Sequence, residues 1–247
     1  MSSSTAVPAP SAPRTARERV REEMTAEILA VAGAHVARDG AAAISLRSIA
    51  RDLGMAPSAL YRYFDGRDAL LSALILSAYE ALAGEAERAA DEAEQAAETG
   101  RSDSAGRWLA VPRAIRLWAL ERPHQWGLIF GTPIPGYHAP EDTIEPYTRM
   151  AVALVRPLVA AHEEGSFRPD ESRGPITDEL RAAVAPVTEG LLPGMSGETV
   201  VLVLQGFTAI IGAISLEVFG HWRNTVLEPG LLFDATVAQV AETIGLH

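Results

Sequence analysis

The segment Ser45–Leu70, SLRSIARDLGMAPSALYRYFDGRDAL, most restricts the folds open to this chain. Leu46, Ile49, Ala50 and Leu53 fall at i, i+3, i+4 and i+7, one apolar face of a helix. Gly54 can take the left-handed conformation that closes that helix. Pro57 then suits the first turn of a second helix, where its missing N–H has no intrahelical partner. Ala50 is small where the second helix must cross, and Leu60 and Phe64 return that helix to the core. Two short helices around a tight turn make a helix-turn-helix pattern, whose second helix is the candidate for a DNA major groove.

The rest of the chain reads as helical, with no alternating strands of useful length. A first helix is expected over about 15–38, ended by Asp39-Gly40. A fourth begins with Asp65 as N-cap and runs to about Glu98. Further helices are expected near 103–121, 124–130, 142–164, 176–191, 197–221 and 230–245. Pro112, Pro157 and Pro186 fall inside these patterns and are expected to kink or restart them. The fold class is therefore all-α. Residues 1–13, rich in Ala, Ser and Pro, read as a disordered leader. Residues 14–66 form a three-helix helix-turn-helix DNA-binding domain, and residues 67–247 a helical effector-binding and dimerisation domain.

The net charge of −11 conceals an asymmetry that matters for nucleic acid. Residues 1–67 hold 9 arginines against 7 acidic residues, whereas 68–247 hold 12 against 25. Affinity for DNA depends on positive charge near phosphates, not on the whole-chain average. A weakly basic head on an acidic body is compatible with binding in one orientation. There is no cysteine, so neither disulfides nor thiolate metal sites are available. Met1–Pro13 lacks the charged start and apolar run of a signal peptide, which points to the cytoplasm. In the apolar stretch 198–222, Gln205, Thr208, Ser215 and Glu217 interrupt what a membrane span would keep continuous.

Ile49-Ala50, Leu53-Gly54-Met55, Leu60-Tyr61-Arg62-Tyr63-Phe64, Arg67 and Ala69-Leu70-Leu71 resemble the N-terminal domain of the TetR family of one-component repressors. The match spans roughly 19–73. Ala56 stands where that family usually has a capping Ser, a loss of about 1 kcal/mol that Pro57 partly offsets. Tyr63 stands where the family often has His. Gly212, Leu216 and Glu217 match a C-terminal subclass marked W-x-x-x-H-G-x-x-x-L-E, with Phe207 and Ile211 in place of its Trp and His.

The candidate DNA-binding residues are Ser45, Arg47, Pro57, Ser58, Ala59, Tyr61, Arg62, Tyr63 and Arg67. Ser45 is either only an N-cap or also a phosphate donor at a helix start. Arg47 is placed to reach phosphate. Ser58 and Arg62 are the polar candidates for base readout, and Ala59 could touch a thymine methyl. Arg62 has a competing reading as a partner of Asp52 or Asp65. Tyr61 and Tyr63 point in different directions on a helix; the resemblance implies that Tyr61 lines the core and Tyr63 serves the phosphate. It also implies a phosphate contact for Arg67.

All four tryptophans lie beyond residue 101. Trp118, Trp126, Phe130, Phe207 and Ile211 are the candidate apolar pocket, with His124, His138 or Gln205 as orienting groups. The expected effector is small and apolar or amphipathic. Gly206, Ala209, Ala213 and Gly220, with Val237, Val240 and Ile244 of the last helix, are the candidate homodimer interface. The six histidines form no metal-spaced pair, and no P-loop, G-x-G-x-x-G or G-x-S-x-G occurs. The expectation is thus no enzyme, no cofactor and no membrane partner. The resemblance implies a repressor that binds palindromic operator DNA as a homodimer and is released by a ligand. The alternative is a ligand-independent DNA-binding regulator with a solid C-terminal core.

Overall fold

The computed structural model describes residues 15–101, 103–165, 167–168 and 174–246; the leader 1–13, and Ser166, Pro169 and His247, lie outside the described residues. Ten α-helices follow in order, with short 3-10 turns at 41–43 and 141–143 and no strand among the described residues. They are α1 (Ala16–Asp39), α2 (Leu46–Asp52), α3 (Pro57–Leu60), α4 (Arg67–Glu98) and α5 (Ser104–Glu121). Then come α6 (Pro123–Phe130), α7 (Ile144–Glu163), α8 (Asp178–Gly190), α9 (Gly197–Val218) and α10 (Pro229–Ile244).

Helix starts follow the hydroxyls and carboxylates that can satisfy unpaired amides. Thr15 and Glu18 form a reciprocal capping box at α1, with bonds of 3.3 and 2.7 Å. Asp103, Thr177 and Ser196 cap α5, α8 and α9. Ser45 holds the N-cap position of α2, but its side chain makes no capping bond there. At α4 the helix begins at Arg67, so Gly66 holds the cap position and Asp65, expected there, stands one residue before it.

The three internal prolines do not divide their helices: α5, α7 and α8 run through Pro112, Pro157 and Pro186. Each proline removes one N–H, but the surrounding residues are held by packing, so a single lost bond does not end the element. Helix α9 stops at Val218 rather than 221 because Gly220, at φ 77°, turns the chain back. The His221 N–H closes that turn on the Leu216 carbonyl at 2.8 Å.

The chain divides into two compact units at Leu74, inside α4 rather than at its start. In the first unit Ile28, Ala32, Val36, Leu46, Ile49, Leu60 and Phe64 form the core. Leu70 and Leu71 are fully buried as well, which places the opening turns of α4 in this unit. In the second unit, Ala78, Ala83, Ala86 and Ala90 of α4 share a core with Trp108, Ile115, Trp126, Met150, Leu158, Ile210, Ile214 and Phe233. Helix α9 packs on α5, α8 and α10. By length and composition α9 and α4 could cross a membrane, yet α9 has Val200, Ile210 and Ile214 buried in this core.

A ladder of ions runs between α7 and α4 within the second unit. Arg149 reaches Glu80 at 2.8 Å and Glu87 at 2.7 Å, and Arg156 reaches Asp91 at 2.7 Å and Glu94 at 2.5 Å. The two arginines are two turns apart on α7, matching the spacing of their acidic partners on α4.

Candidate nucleic-acid interface and effector region

The helix-turn-helix is built by local chemistry. Gly54 sits at φ 66°, and the Met55 N–H reaches back to the Ala50 carbonyl at 2.8 Å. Ala56 precedes α3 without a side-chain cap, and Pro57 occupies the first turn. After Leu60 the backbone tightens: the N–H groups of Arg62 and Tyr63 bond to carbonyls three residues back, at 3.2 and 2.9 Å. Leu60 and Phe64 take the core, as their spacing predicts.

Arg47, Pro57, Ser58 and Arg62 are exposed, and Ser45, Ala59 and Tyr63 are half-buried. The two tyrosines reverse the orientation that the family resemblance implied: Tyr61 is 52% exposed, whereas Tyr63 is half-buried. The cause is angular. Tyr61 follows Leu60 by one residue and swings off the Leu60–Phe64 stripe, while the three-residue turn brings Tyr63 over Leu60. Arg62 pairs with neither Asp52 nor Asp65 among the described residues. Asp52 is engaged by His35 at 2.8 Å and Arg51 at 3.4 Å. Arg67 spends part of its guanidinium inside the unit, donating to the carbonyls of Ala41 at 3.4 Å and Ala42 at 3.3 Å.

Sequence reasoning missed His35. Its ring is 4% exposed, with Nε2 2.8 Å from Asp52 Oδ2 and Nδ1 3.5 Å from Ser48 Oγ. The hydrogen bond from His35 holds the Asp52 carboxyl below the usual carboxylate range. A signal was present: His35 continues the stripe of Ile28 and Ala32 on α1, a core-facing place that demands a polar partner.

In the second unit the rings of α6 and α9 are joined by two tyrosines absent from the expected set. Trp126 is fully buried, stacks on Phe130 with centroids 4.4 Å apart, and donates from Nε1 to Ser215 Oγ at 3.2 Å. Tyr79 bridges Phe130 at 6.4 Å and Tyr147 at 6.1 Å, and Tyr147 meets Phe207 at 6.3 Å. Such edge-on contacts suit the ring quadrupoles. Burial pushes both tyrosine hydroxyls up from their ordinary titration, keeping them as neutral donors. Phe130, Tyr79 and Phe207 retain accessible surface, and Ile211 is half-buried.

Trp118 is buried apart from that chain of rings, beneath the Arg122 guanidinium at 5.9 Å. His124 is partly buried, and desolvation, with Arg122 adding to it, pushes its imidazole down. His138 is exposed on the loop after α6. Gln205 faces outward and, with Ala209, Leu232 and Gln239, lines a groove of about 460 Å³ between α9 and α10. It therefore does not orient a ligand among the aromatic rings.

Four of the expected interface residues are consumed inside the chain. Val237, Val240 and Ile244 are buried in the core. Gly206 is buried against Val240, whose Cγ1 lies 2.5 Å from where a Cβ would stand. Gly220 ends α9. Ala209 is exposed on the outer face with Leu204, Leu216 and Leu232, whereas the half-buried Ala213 packs against the core.

Comparison with known proteins places two sequence profiles on the chain. Residues 28–74 match the family described as bacterial regulatory proteins, tetR family, and residues 108–240 match a tetracyclin repressor-like C-terminal domain. The HTH-type transcriptional regulator Rv1816 of Mycobacterium tuberculosis is 35% identical over 94% of this chain and 96% of its own length. The crystal structure of the regulatory protein SCO4313 is 33% identical and superposes with a TM-score of 0.68, covering 92% of this chain and all of that one. RolR, solved in complex with resorcinol, shares the fold at 17% identity and a TM-score of 0.50, over 93% of this chain and 95% of its own.

Proposed function

Because this chain belongs to the TetR family of helix-turn-helix transcriptional regulators, we propose that it works as a repressor. In this reading a homodimer holds a palindromic operator through two α3 helices and releases it when a small molecule enters the second unit. One observation carries the DNA contact: Ser58, Tyr61 and Arg62 stand exposed on a helix-turn-helix whose apolar side is fully packed. Arg47 and the start of α2 add phosphate donors, since a helix N-terminus favours an anion. Base readout from Ser58 and Arg62 would be sparse, leaving DNA shape a large share of specificity.

Pairing of two chains is supported by the outer face of α9 and α10. Leu204, Ala209, Leu216 and Leu232 are exposed there, and small side chains let a facing helix approach. A dimer would offer two α3 helices to the DNA, whose successive major grooves lie about 34 Å apart. The effector reading rests on the accessible rings of Tyr79, Phe130 and Phe207, suited to a small apolar or amphipathic molecule. RolR shows that a protein of this fold holds a small aromatic. Release requires the ligand to bind more tightly to the form that does not fit the operator.

The test is selection of duplexes from a randomised pool, followed by titration at several salt concentrations. Arg47→Ala is expected to lower the slope of log K against log salt by about 1, and Arg62→Ala to cost about 1–3 kcal/mol and relax the preference at one base pair. A chain that retains no duplex even at low ionic strength refutes the reading. Small phenols, with resorcinol as first probe, are then tested for release.

A further inference from the structure

We propose that the first two turns of α1 are a second phosphate-binding element, in which Arg17 and Arg21 grip the duplex backbone beyond the helix-turn-helix. The proposal rests on the DNA-binding reading above. From Thr15 to Glu23 every residue is exposed, so no described part of the chain covers this stretch. Ile28 is the first buried residue of α1. At 1.5 Å per residue, the start of the helix at Ala16 stands about 18 Å beyond it. A helical end so exposed gains nothing from packing. It is held instead by its own cap, where Thr15 and Glu18 satisfy each other's N–H groups at 2.7 and 3.3 Å. The arm is a preformed rod, not a fraying end.

The distribution of unpaired charge points to its partner. In this unit Arg38, Arg51 and Arg67 each pair with the acid next to them, Asp39, Asp52 and Asp68. Arg17, Arg19, Arg21, Arg47 and Arg62 have no carboxylate partner among the described residues. Arg47 and Arg62 belong to the helices already read as touching DNA. The start of α1 holds the rest of the unit's described free guanidiniums, which are the groups open to charge-assisted bonds with phosphate.

Helical geometry sorts these groups by side. Arg17 and Arg21 lie one turn apart and continue the stripe of Ile28, Ala32 and His35, at i+11, i+15 and i+18 from Arg17. That stripe looks toward α2, because His35 meets Asp52 at 2.8 Å. Both arginines therefore stand on the side of α1 that carries the helix of Arg47, beyond the end of the packing. No carboxylate shares the stripe. Glu18 turns to the cap, its Oε2 accepting the Thr15 N–H. Arg19 lies about 160° around the helix from Arg17, on one side with Glu23.

The experiment uses the full-length chain and a fluorescent duplex that the wild-type protein selects from a randomised pool. Anisotropy titrations are run between about 50 and 200 mM salt. Glutamine matches arginine in helix propensity, so these exposed substitutions leave the fold intact. Each phosphate contact carries a slope of about 0.9 in log K against log salt. Arg17→Gln combined with Arg21→Gln is therefore expected to lower the slope by about 2. The same rise in salt then costs the double variant about tenfold less affinity than it costs the wild type. Arg19→Gln removes an equal charge from the opposite side and is expected to leave the slope as it is. A double variant that keeps the wild-type slope, or an Arg19→Gln that loses as much per charge, overturns the proposal. A wild type that selects no duplex refutes the DNA-binding reading and this element with it. A loss of slope confined to Arg47→Ala refutes this element alone.

Discussion

The guanidinium of Arg116 on α5 meets the carboxylate of Glu217 on α9 through two parallel hydrogen bonds, of 2.7 and 2.6 Å. The side chains are only 17% and 13% exposed, and Arg116 also lies over the Phe233 ring at 5.6 Å. This gives Glu217, noted in sequence for its Leu-Glu motif and for interrupting an apolar stretch, a physical role: it ties α9 to α5. Removing one member strands a charge in a poorly solvated place. Glu217→Ala is expected to lower unfolding free energy by about 3 kcal/mol, read from urea midpoints. A loss under about 1 kcal/mol would mean that the pair is solvated like a surface pair.

The reversed tyrosines make a prediction that separates structure from resemblance. Tyr61→Phe should weaken binding of a selected duplex about tenfold, the loss expected for one hydrogen bond to a charged group. Tyr63→Phe should change it far less. Titration of both variants at one salt concentration checks this, and the opposite ranking would restore Tyr63 as the phosphate donor.

Gly206 is predicted to tolerate no side chain. A Cβ would stand 2.5 Å from Val240 Cγ1, so Gly206→Ala must displace α10 or force Val240 off its rotamer. The expected cost is about 1–3 kcal/mol, measurable as a lower denaturation midpoint. Val240→Ala in the same chain should recover part of it, because the clash and its relief are local.

Acid should loosen the junction of α8 and α9. Glu198 is held down to about 2 by its hydrogen bond from Arg181, against an ordinary value of 4.5. Its folded value is depressed, so its contribution is complete above pH 4.5 and is lost as pH falls toward 2. Wild-type stability should therefore decline through that window more steeply than that of Glu198→Gln. Parallel acid titrations of the two would remove the pair from any account of acid lability.

Exposed α9 and α10 side chains set the last prediction. Leu232→Glu places charge on the outer face, and sedimentation is expected to show the proposed pair for the wild type and single chains for the variant. Val237, fully buried, would fail through misfolding instead.

What the sequence revealed follows the range of the interactions concerned. The turn at Gly54 and Pro57 was readable because each residue's own backbone preference decides it. Helix limits were close for the same reason, with Thr15, Thr177 and Ser196 as local caps. The faces of α10 were not readable, since Leu232 and Val237 are equally apolar and only packing tells an inward side from an outward one. Tyr61 was expected in the core and stands exposed, because the chain tightens after Leu60 and shifts angles that an ideal helix would fix. His35 and Asp52 are 17 residues apart, beyond any periodic pattern.

The rungs joining Arg149 and Arg156 to the fourth helix restrict how this chain could transmit a signal. Four carboxylates are engaged at matched intervals, so sliding α7 along α4 stretches the contacts of both arginines at once. Axial sliding is therefore costly, whereas rolling about the line of rungs keeps every partner within reach. Any message arriving at the aromatic rings leaves as a tilt, not as a piston stroke.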